Sequence, residues 1–261
     1  MLPYINIFGY EIATYGLIIF IGIFIGAIIS IFYFSKFFSV KKEDIFYCIL
    51  YAVIGLGIGA KLLYIITNIP FLIENYQSLD LFDTFLQMLK GGFVFYGGLI
   101  GGILGVLVYS KQFKISFKEL LLILLPVVPL IHGIGRIGCL CAGCCYGMEY
   151  HGFGAITFHN SLLAPNDVPL FPMQIVEAIC NFVIFIVLLL TYKKFLGTYK
   201  TVGLYLVLYS VVRFTLEFFR GDLIRGIYFS LSTSQWISIV LFIVGIAIFV
   251  LEYKRKKWNQ P

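Results

Sequence analysis

The sequence predicts an all-α, polytopic integral membrane protein with about seven transmembrane helices in a single domain, residues 1–261. Three observations predict this class: the composition, seven long apolar runs, and basic residues that alternate between connections. Of the 261 residues, 61% are hydrophobic and 12% are charged, with a mean hydropathy of +0.98. A soluble domain is about half apolar and about a quarter charged. The composition therefore excludes a soluble domain, a disordered tail, a collagen-like repeat and a nucleic-acid-binding domain.

Seven apolar runs have about the ~20-residue length that a helix needs to cross a bilayer. They cover residues 12–34, 45–68, 93–110, 117–135, 173–195, 201–219 and 233–253. We expect the first run to remain as a span, because no basic residue precedes it and no cleavage pattern of small residues closes it. An odd number of spans places the two termini on opposite sides of the membrane.

Basic residues predict which side is which. Thirteen of the 19 follow spans one, three, five and seven: Lys36, Lys41, Lys42, Lys111, Lys114, Lys118, Lys193, Lys194, Lys200, Lys254, Arg255, Lys256 and Lys257. The opposite connections hold only Lys90, Arg136, Arg220 and Arg225. By the positive-inside rule, the N-terminus is outside and the C-terminus is in the cytoplasm. The expected location is a membrane, with the anionic lipids of its cytoplasmic leaflet as partners of the basic face.

Two connections differ from plain loops. Residues 70–92 are too polar to cross a membrane but carry regularly spaced apolar side chains, which suits a segment in the outer interface. Residues 132–172 begin with HGIGRIGCLCAGCCYG, which has five glycines. Irregular backbone at membrane depth is tolerated only where protein or a water-filled cavity satisfies it. We therefore predict a re-entrant, glycine-rich site region that starts at residue 132 and faces outward.

Ionisable residues within or beside the spans are candidates for binding, because each is costly in a membrane unless it is paired or functional. They are Lys61, His132, Arg136, Glu177, Arg213, Glu217 and Arg220. In a helix, His132 and Arg136 would share a face, and the spacing of Arg213, Glu217 and Arg220 forms one stripe. A salt-bridge ladder is one explanation. A lipid phosphate site is favoured, because several cations converge and arginine forks match phosphate oxygens. Asp222 can pair with Arg220 or Arg225.

Several sequence runs together resemble a known family. They are ATYGL in span one, GAKLLYIITNIP in span two, GGFVFYGGLIGG (91–102), HGIGRIGCLCAGCCYG (132–147), FPMQIVE (171–177) and VRFTLEFFRGD (212–222). Their order and spacing resemble the motifs of the bacterial prolipoprotein diacylglyceryl transferase family. The resemblance implies a membrane transferase that moves the diacylglyceryl group of phosphatidylglycerol to the lipobox cysteine of a prolipoprotein signal peptide. This is the first step of lipoprotein maturation. We expect no cofactor, no metal and no nucleic-acid partner.

The resemblance also implies roles for individual residues. Arg136 matches the arginine of the family signature and Arg213 the arginine of the sixth span. We expect both to stabilise the phosphate leaving group. The substrate-binding candidates are Tyr15, Lys61, Gly98, Cys139, Cys144, Gly147, Gln174, Glu177, Glu217 and Arg220. Lys61 stands where the family usually has arginine, which keeps the charge but loses the planar fork.

Three departures from the family pattern concern the general base. Tyr96, in VFYGG, replaces a histidine of SFHGG that can activate the incoming thiol. A phenol with a pKa near ~10 is a weaker base at neutral pH than imidazole. Cys139 and Cys144 replace an asparagine and a glutamate of the signature. His132 is the candidate base and Tyr96 the alternative. A structural histidine bonded to a carbonyl group is another explanation for His132.

Four of the six cysteines lie in CLCAGCC, at Cys139, Cys141, Cys144 and Cys145. A metal or iron–sulfur site, a disulfide on the oxidising outer face and a thiol that accepts a lipid are three explanations. The favoured one is close packing of small side chains beside glycine. Three alternative functions also remain open: a specialised relative with another acceptor or lipid, a non-catalytic lipid-binding or lipid-translocating protein, and a thiol-redox protein.

Glycines within the first two spans predict close packing of helices rather than a site. Gly22 and Gly26 form a GxxxG pair, and Gly55, Gly57 and Gly59 crowd span two. Small residues allow helix backbones to approach each other in a membrane.

Overall fold

The computed structural model describes residues 3–7, 9–75, 92, 94–161, 163–222 and 226–258. Most of these residues are helical. The α-helices are α1 (Thr14–Phe32), α2 (Lys42–Asn75), α3 (Phe95–Phe113), α4 (Phe117–Leu124), α5 (Val128–Ala142), α6 (Met173–Thr191), α7 (Lys200–Leu216) and α8 (Thr233–Trp258). Short 3-10 turns occupy Phe34–Phe37, Leu125–Val127, Lys193–Phe195 and Glu217–Phe219. The predicted predominance of helices is confirmed.

Among the described residues, three small antiparallel strand pairs accompany the helices. They are β1 (Tyr4–Ile7) with β2 (Tyr10–Ala13), β3 (Ile156–Thr157) with β4 (Pro169–Leu170), and β5 (Ile227–Tyr228) with β6 (Leu231–Ser232). The first pair takes residues 12 and 13 out of the predicted first span, since Ile5 pairs with Ile12 and Tyr4 with Ala13. None of these pairs was predicted from the sequence.

Six helical stretches among the described residues are long and apolar enough to cross a membrane. They are Thr14–Phe37, Lys42–Pro70, Phe117–Ala142, Met173–Thr191, Lys200–Phe219 and Thr233–Arg255. The helix at the predicted third span, α3, is 19 residues long but is not among them. Its five glycines and its polar end, which includes Ser110, Lys111 and Gln112, lower its apolar character. The chain is a polytopic membrane protein, and its span count stays a prediction.

Two predicted boundaries differ from the structure. The break expected at residue 132 is wrong, because α5 continues to Ala142. Its glycines lie inside the helix and permit close contacts: a Cβ added at Gly133 would lie 2.6 Å from the Phe182 ring. The expected interfacial segment 70–92 begins as the last turns of α2, and its residues 76–91 lie outside the described part of the chain.

The chain divides into two compact units. Unit A comprises residues 1–30 and 124–261, and unit B comprises residues 31–123. In unit A, α1 packs on α5 through the predicted GxxxG pair. A Cβ added at Gly22 would lie 3.2 Å from Ile134, and one added at Gly26 would lie 2.7 Å from Ile131. The prediction that these two glycines serve packing is confirmed.

In unit B, α2 and α3 meet backbone to backbone along five glycines, which we call the glycine seam: Gly55, Gly59, Gly97, Gly101 and Gly105. A Cβ added at Gly55 or Gly101 would overlap the carbonyl oxygen of the other residue, and the same holds for Gly59 and Gly97. The packing prediction is confirmed for Gly55 and Gly59. It is wrong for Gly57, whose added Cβ would meet no atom within 4 Å.

Candidate active site

The candidate site in unit A is built on a polar stripe of helix α6. Gln174, Glu177 and Asn181 are spaced by three and four residues and therefore share one face of the helix. Their exposed fractions are 1%, 2% and 0%. Asn181 Nδ2 donates to the Glu177 carbonyl oxygen at 2.8 Å, which ties the stripe to its own backbone. The stripe thus places a buried carboxylate in an otherwise apolar helix.

Three side chains from neighbouring helices approach this carboxylate. Glu177 Oε1 lies 2.8 Å from Arg136 Nη2, 3.7 Å from His132 Nε2 and 3.9 Å from Arg213 Nη1. Arg213 Nη2 also pairs with Glu217 Oε2 at 2.9 Å and donates to Ser234 Oγ at 3.0 Å. We call His132, Arg136, Glu177, Arg213 and Glu217 the arginine–glutamate cluster. Helix α5 confirms that His132 and Arg136 share a face.

The charges of the arginine–glutamate cluster balance, but some of its buried polar atoms have no hydrogen-bond partner among the described residues. Two guanidinium groups face two carboxylates, which offsets the cost of removing each charge from water. However, Arg136 Nε and Arg213 Nη1 are buried and donate no hydrogen bond to any described residue, and the buried Glu177 Oε2 accepts none from them. Each arginine side chain is 14% exposed as a whole, while these two nitrogen atoms are covered by protein. Buried donors without acceptors are rare, and an anion with several oxygens would satisfy both.

The predicted polar stripe on the sixth span is correct only as far as Glu217. Helix α7 ends at Leu216, and the 3-10 turn that follows changes the direction of the chain before Arg220. Arg220 therefore leaves the helical register. Its guanidinium forks onto Asp222, with Nε 2.8 Å from Oδ1 and Nη2 bonded to Oδ2. The predicted pairing of Asp222 with Arg220 is confirmed, and Arg225 lies outside the described residues.

Helix α5 ends in a Schellman motif that folds the signature back on itself. Gly143 has φ +70°, its N–H donates to Leu140 O at 3.3 Å, and the Cys144 N–H donates to Cys139 O at 3.1 Å. The sulfur atoms of Cys139, Cys144 and Cys145 consequently lie within 4.8 Å of one another. We call these three residues the thiol trio.

The thiol trio adjoins the arginine–glutamate cluster. Arg136 Nη1 lies 3.8 Å from Cys139 Sγ, and Gln174 Nε2 donates to the Cys144 carbonyl oxygen at 2.8 Å. Cys145 lies beyond the end of α5. Hydrogen bonds with the Cys139 and Cys144 thiols lower its pKa, and the positive charges of Arg136 and Arg220 act in the same direction.

Residue 147, the last residue of the signature, must be glycine because three backbone segments meet there. It forms a bridge with Arg220, and the neighbouring Met148 N–H donates to Phe219 O at 2.9 Å. A Cβ at Gly147 would overlap the carbonyl oxygen of Phe171. Packing thus accounts for this glycine, and its contact with substrate stays a prediction. Tyr15 of α1 packs against α5, since a Cβ at Gly138 would lie 3.2 Å from its ring.

Three predicted site residues belong to unit B. Lys61 Nζ lies 5.3 Å from the centroid of the Tyr64 ring. Tyr96 is half-buried at the start of α3, with its ring edge-on to Phe95. Gly98 packs on α2, where an added Cβ would lie 3.3 Å from Leu56. Their roles toward substrate stay predictions.

Two features of the arginine–glutamate cluster were not predicted from the sequence. Glu177 is expected as one of several substrate-binding residues, whereas the structure places it at the centre of the cluster. Ser234, which accepts a hydrogen bond from Arg213, was not among the candidates. The spacing of Gln174, Glu177 and Asn181 in an apolar helix was the signal for a buried polar stripe. No pattern around Ser234 indicates its contact, because that contact joins two different helices.

A family model described as Prolipoprotein diacylglyceryl transferase matches residues 3–251. The chain belongs to the prolipoprotein diacylglyceryl transferase family. A phosphatidylglycerol–prolipoprotein diacylglyceryl transferase of Clostridium tetani is 38% identical over 252 residues, which cover 97% of this chain and 98% of that protein. The Clostridium perfringens protein named phosphatidylglycerol–prolipoprotein diacylglyceryl transferase 2 is 38% identical over 244 residues, 94% of this chain and 92% of that protein.

A Clostridioides difficile relative with the same name as the Clostridium tetani protein is 32% identical over 256 residues, 97% of this chain and 96% of its own length. The family resemblance predicted from the sequence is therefore confirmed, as is membership in a family of transferases. In this member of the prolipoprotein diacylglyceryl transferase family, the signature arginine Arg136 contacts both Glu177 and Cys139.

Proposed function

We propose that this chain transfers the diacylglyceryl group of phosphatidylglycerol to the lipobox cysteine thiol of prolipoproteins, the first step of bacterial lipoprotein maturation. The proposal is supported above all by two buried nitrogen atoms beside Glu177. Arg136 Nε and Arg213 Nη1 donate no hydrogen bond to any described residue. A lipid phosphate has the negative charge and the acceptor oxygen atoms that these donors need. The relatives' names supply phosphatidylglycerol and prolipoprotein as the two substrates.

The reaction forms a bond between sulfur and a glycerol carbon and breaks the bond between that carbon and a phosphate oxygen. The electron pair of the broken bond leaves with glycerol phosphate, whose phosphate group gains negative charge. The guanidinium groups of Arg136 and Arg213 stabilise this growing charge, because charge-assisted forks in a water-poor site act more strongly than in water. The incoming thiol must lose its proton, because the thiolate is the nucleophile.

Glu177 and Glu217 position the two arginines before the lipid binds. They keep both guanidinium groups charged and oriented within a buried site, as the distances of 2.8 and 2.9 Å support. A phosphate that enters competes with these carboxylates for the guanidinium donors. Gln174, Arg220, Tyr15, Gly147, Lys61 and Gly98 are proposed as further substrate-binding residues, with Cys139 and Cys144 discussed below.

His132 is proposed as the acceptor of the thiol proton, with Tyr96 as the alternative. Its Nε2 lies 3.7 Å from Glu177 Oε1, where the carboxylate would stabilise the imidazolium ion. A His132→Ala variant with unchanged turnover would return the role to Tyr96. The matched Tyr96→Phe variant keeps the ring and removes only the hydroxyl group.

The proposed setting is a bacterial cytoplasmic membrane, with the N-terminus outside, seven spans and a site that opens outward. The distribution of basic residues supports this orientation, since thirteen of 19 follow alternate predicted spans. The family match covers residues 3–251 and so includes parts of both units. This coverage supports a single transferase domain over residues 1–261.

A transfer assay tests the proposal. The purified full chain is incubated with phosphatidylglycerol and a lipobox peptide, and mass spectrometry measures the diacylglyceryl thioether. A peptide with serine in place of the lipobox cysteine is the control, and release of glycerol phosphate is measured in parallel. We expect product only with the cysteine peptide. Binding of phosphatidylglycerol without product, beside an active relative as positive control, would instead support a non-catalytic lipid-binding protein.

A further inference from the structure

We propose that the thiol trio of Cys139, Cys144 and Cys145 is a binding site for a soft divalent cation of the zinc class, with an open fourth position that takes a thiol. The incoming thiol is identified as the lipobox cysteine, and that part of the inference rests on the proposed function. The metal site itself rests on the geometry and chemistry of the three cysteines.

The distances suit a tetrahedral metal. The three sulfur atoms lie within 4.8 Å of one another. Zinc–sulfur bonds of about 2.3 Å in a tetrahedron place the sulfurs about 3.8 Å apart. Closure around a metal therefore requires each pair of sulfurs to approach by no more than about 1 Å. The Schellman motif holds the backbone in place, so rotation of the cysteine side chains can supply this movement.

The donor set selects the type of metal. All three donors are sulfur atoms, which bind soft or borderline cations and are poor ligands for magnesium or calcium. Spacing alone did not indicate such a site, because CLCAGCC lacks the two separated cysteine pairs of a zinc ribbon. The third ligand becomes apparent only when the helix end folds Cys144 and Cys145 back over Cys139. Cys141 is not part of the group.

A positive charge adjoins the site. Three thiolates and one divalent cation together carry one negative charge. The Arg136 guanidinium, which also pairs with Glu177, lies beside this charge, with its Nη1 3.8 Å from Cys139 Sγ. Such contacts to ligand atoms orient metal ligands and adjust their basicity. Arg136 thus joins the proposed metal site to the proposed phosphate site.

Burial differs among the three cysteines and leaves one side of the site open. Cys139 is 5% exposed, whereas Cys144 and Cys145 are only half-buried. Cys145 also has φ +57°, which few residues other than glycine adopt. Simple packing of small apolar side chains would favour full burial and an ordinary backbone. Three protein ligands with one open position are the arrangement of a catalytic zinc rather than a structural one.

A thiol that binds at the open position would be activated as a nucleophile. Its S–H bond breaks, a metal–sulfur bond forms, and the proton passes to His132 or to water. The sulfur then bonds to the glycerol carbon as the carbon–oxygen bond breaks, and the electron pair of that bond leaves with the phosphate. The metal–sulfur bond breaks as the uncharged thioether product leaves, which reopens the fourth position. The metal is neither oxidised nor reduced. Two of the three ligands stand where the family resemblance predicts asparagine and glutamate, in a chain that has Tyr96 in place of the histidine.

Metal binding is tested on the purified, reduced full chain. Zinc content is measured by elemental analysis, and Co²⁺ is titrated while thiolate-to-cobalt charge-transfer absorption is followed. We expect about one metal per chain. Loss of an outer-shell contact lowers metal affinity by about 10–100-fold. We expect a larger fall in Co²⁺ affinity for Cys144→Ser and Cys145→Ser, because each removes a ligand. Cys141 lies on α5 but outside the thiol trio. The Cys141→Ser variant should therefore bind metal as wild type does.

A second measurement uses only the wild-type chain, so it does not depend on whether variants fold. Zinc should protect the thiol trio from maleimide labelling and leave labelling of Cys141 unchanged. A lipobox peptide should alter the Co²⁺ spectrum, and its serine counterpart should not. Absence of metal from the reduced chain, an equal loss in Cys141→Ser, or a disulfide within the thiol trio would overturn the site.

The two proposals can fail separately. Metal binding with a peptide-dependent spectrum but no thioether product contradicts the transferase proposal and leaves the metal site standing. Equal product formation by metal-free and zinc-loaded protein contradicts the role of the metal in thiol activation. In that case the transferase proposal stands without it.

Discussion

The arginine–glutamate cluster of unit A and the glycine seam of unit B are opposite kinds of helix contact, since one buries charged side chains and the other has no side chains at all. The glycine seam removes side chains so that the backbones of α2 and α3 meet directly. The arginine–glutamate cluster buries four charged side chains and leaves two of their donors unsatisfied. Close packing is a common way for membrane helices to associate, whereas buried charge is costly unless it serves a function.

Substitutions in the two regions should therefore have different consequences. A change in the glycine seam should affect folding and leave the chemistry of the surviving folded protein intact. A change in the arginine–glutamate cluster should affect the reaction, and it should affect folding only where it leaves a charge uncompensated. Stability and turnover, measured on the same variants, separate these two effects.

The largest effect on stability is expected for Glu177→Gln. This change removes the carboxylate shared by Arg136 and Arg213 and leaves buried positive charge without compensation. Loss of one partner of a buried ion pair costs about 3–5 kcal/mol. Thermal unfolding in detergent measures the loss. Glu149→Gln is the control, because its pair with His151 is 67% and 73% exposed and should contribute little. Equal stability of both variants would contradict the central position of Glu177.

The largest effect on turnover per folded molecule is expected for Arg136→Ala. Removal of one preorganised donor to a developing negative charge lowers kcat by about 10²–10³-fold. Arg136→Lys should recover only part of this loss, because it keeps the charge but not the fork. Steady-state transfer of diacylglyceryl to a lipobox peptide measures both variants, with circular dichroism as the check on folding. Undiminished turnover in Arg136→Ala would remove this residue from the mechanism.

A smaller loss, in stability alone, is expected for Gly101→Ala in the glycine seam. The added methyl group would overlap the Gly55 carbonyl oxygen, so α2 and α3 must separate. Overpacking of this kind costs about 1–3 kcal/mol. Turnover per folded molecule should stay within about twofold of wild type. A thermal scan and an active-site titration of the surviving fraction separate the two quantities.

The smallest effect is expected for Gly57→Ala, which lies on the same helix as Gly55. A Cβ at Gly57 meets no atom within 4 Å, and alanine favours helix by about 1 kcal/mol over glycine. The unfolding temperature should stay level or rise slightly. Suppose instead that the unfolding temperature falls as far as it does for Gly101→Ala. The loss at Gly101 would then reflect replacement of a glycine as such rather than the contact between α2 and α3.

The sequence was sufficient for features that depend on local spacing. Apolar length predicts the helices, and four-residue spacing predicts that His132 and Arg136 share a face and that Arg213 reaches Glu217. The family resemblance supplied Arg136, Arg213 and Glu177 as site residues, and the structure brings these three together.

Features that depend on tertiary contacts or on the ends of helices were not predicted. Glycine-rich sequence suggested a break at residue 132, but contacts such as that of Gly133 with Phe182 allow the helix to continue. The turn after Leu216 removes Arg220 from its expected stripe, because helix periodicity does not indicate where a helix stops. The thiol trio likewise depends on a capping motif rather than on sequence spacing.

Binding of phosphatidylglycerol shows whether Arg136 and Arg213 hold a lipid phosphate. The ³¹P resonance of phosphatidylglycerol is measured with wild type, Arg136→Ala and Arg213→Ala in detergent, and a lipid without phosphate serves as competitor. We expect a shifted resonance with wild type that the neutral lipid does not displace, and loss of that shift in both folded variants. An unchanged shift in Arg136→Ala and Arg213→Ala would show that these two residues do not hold the phosphate.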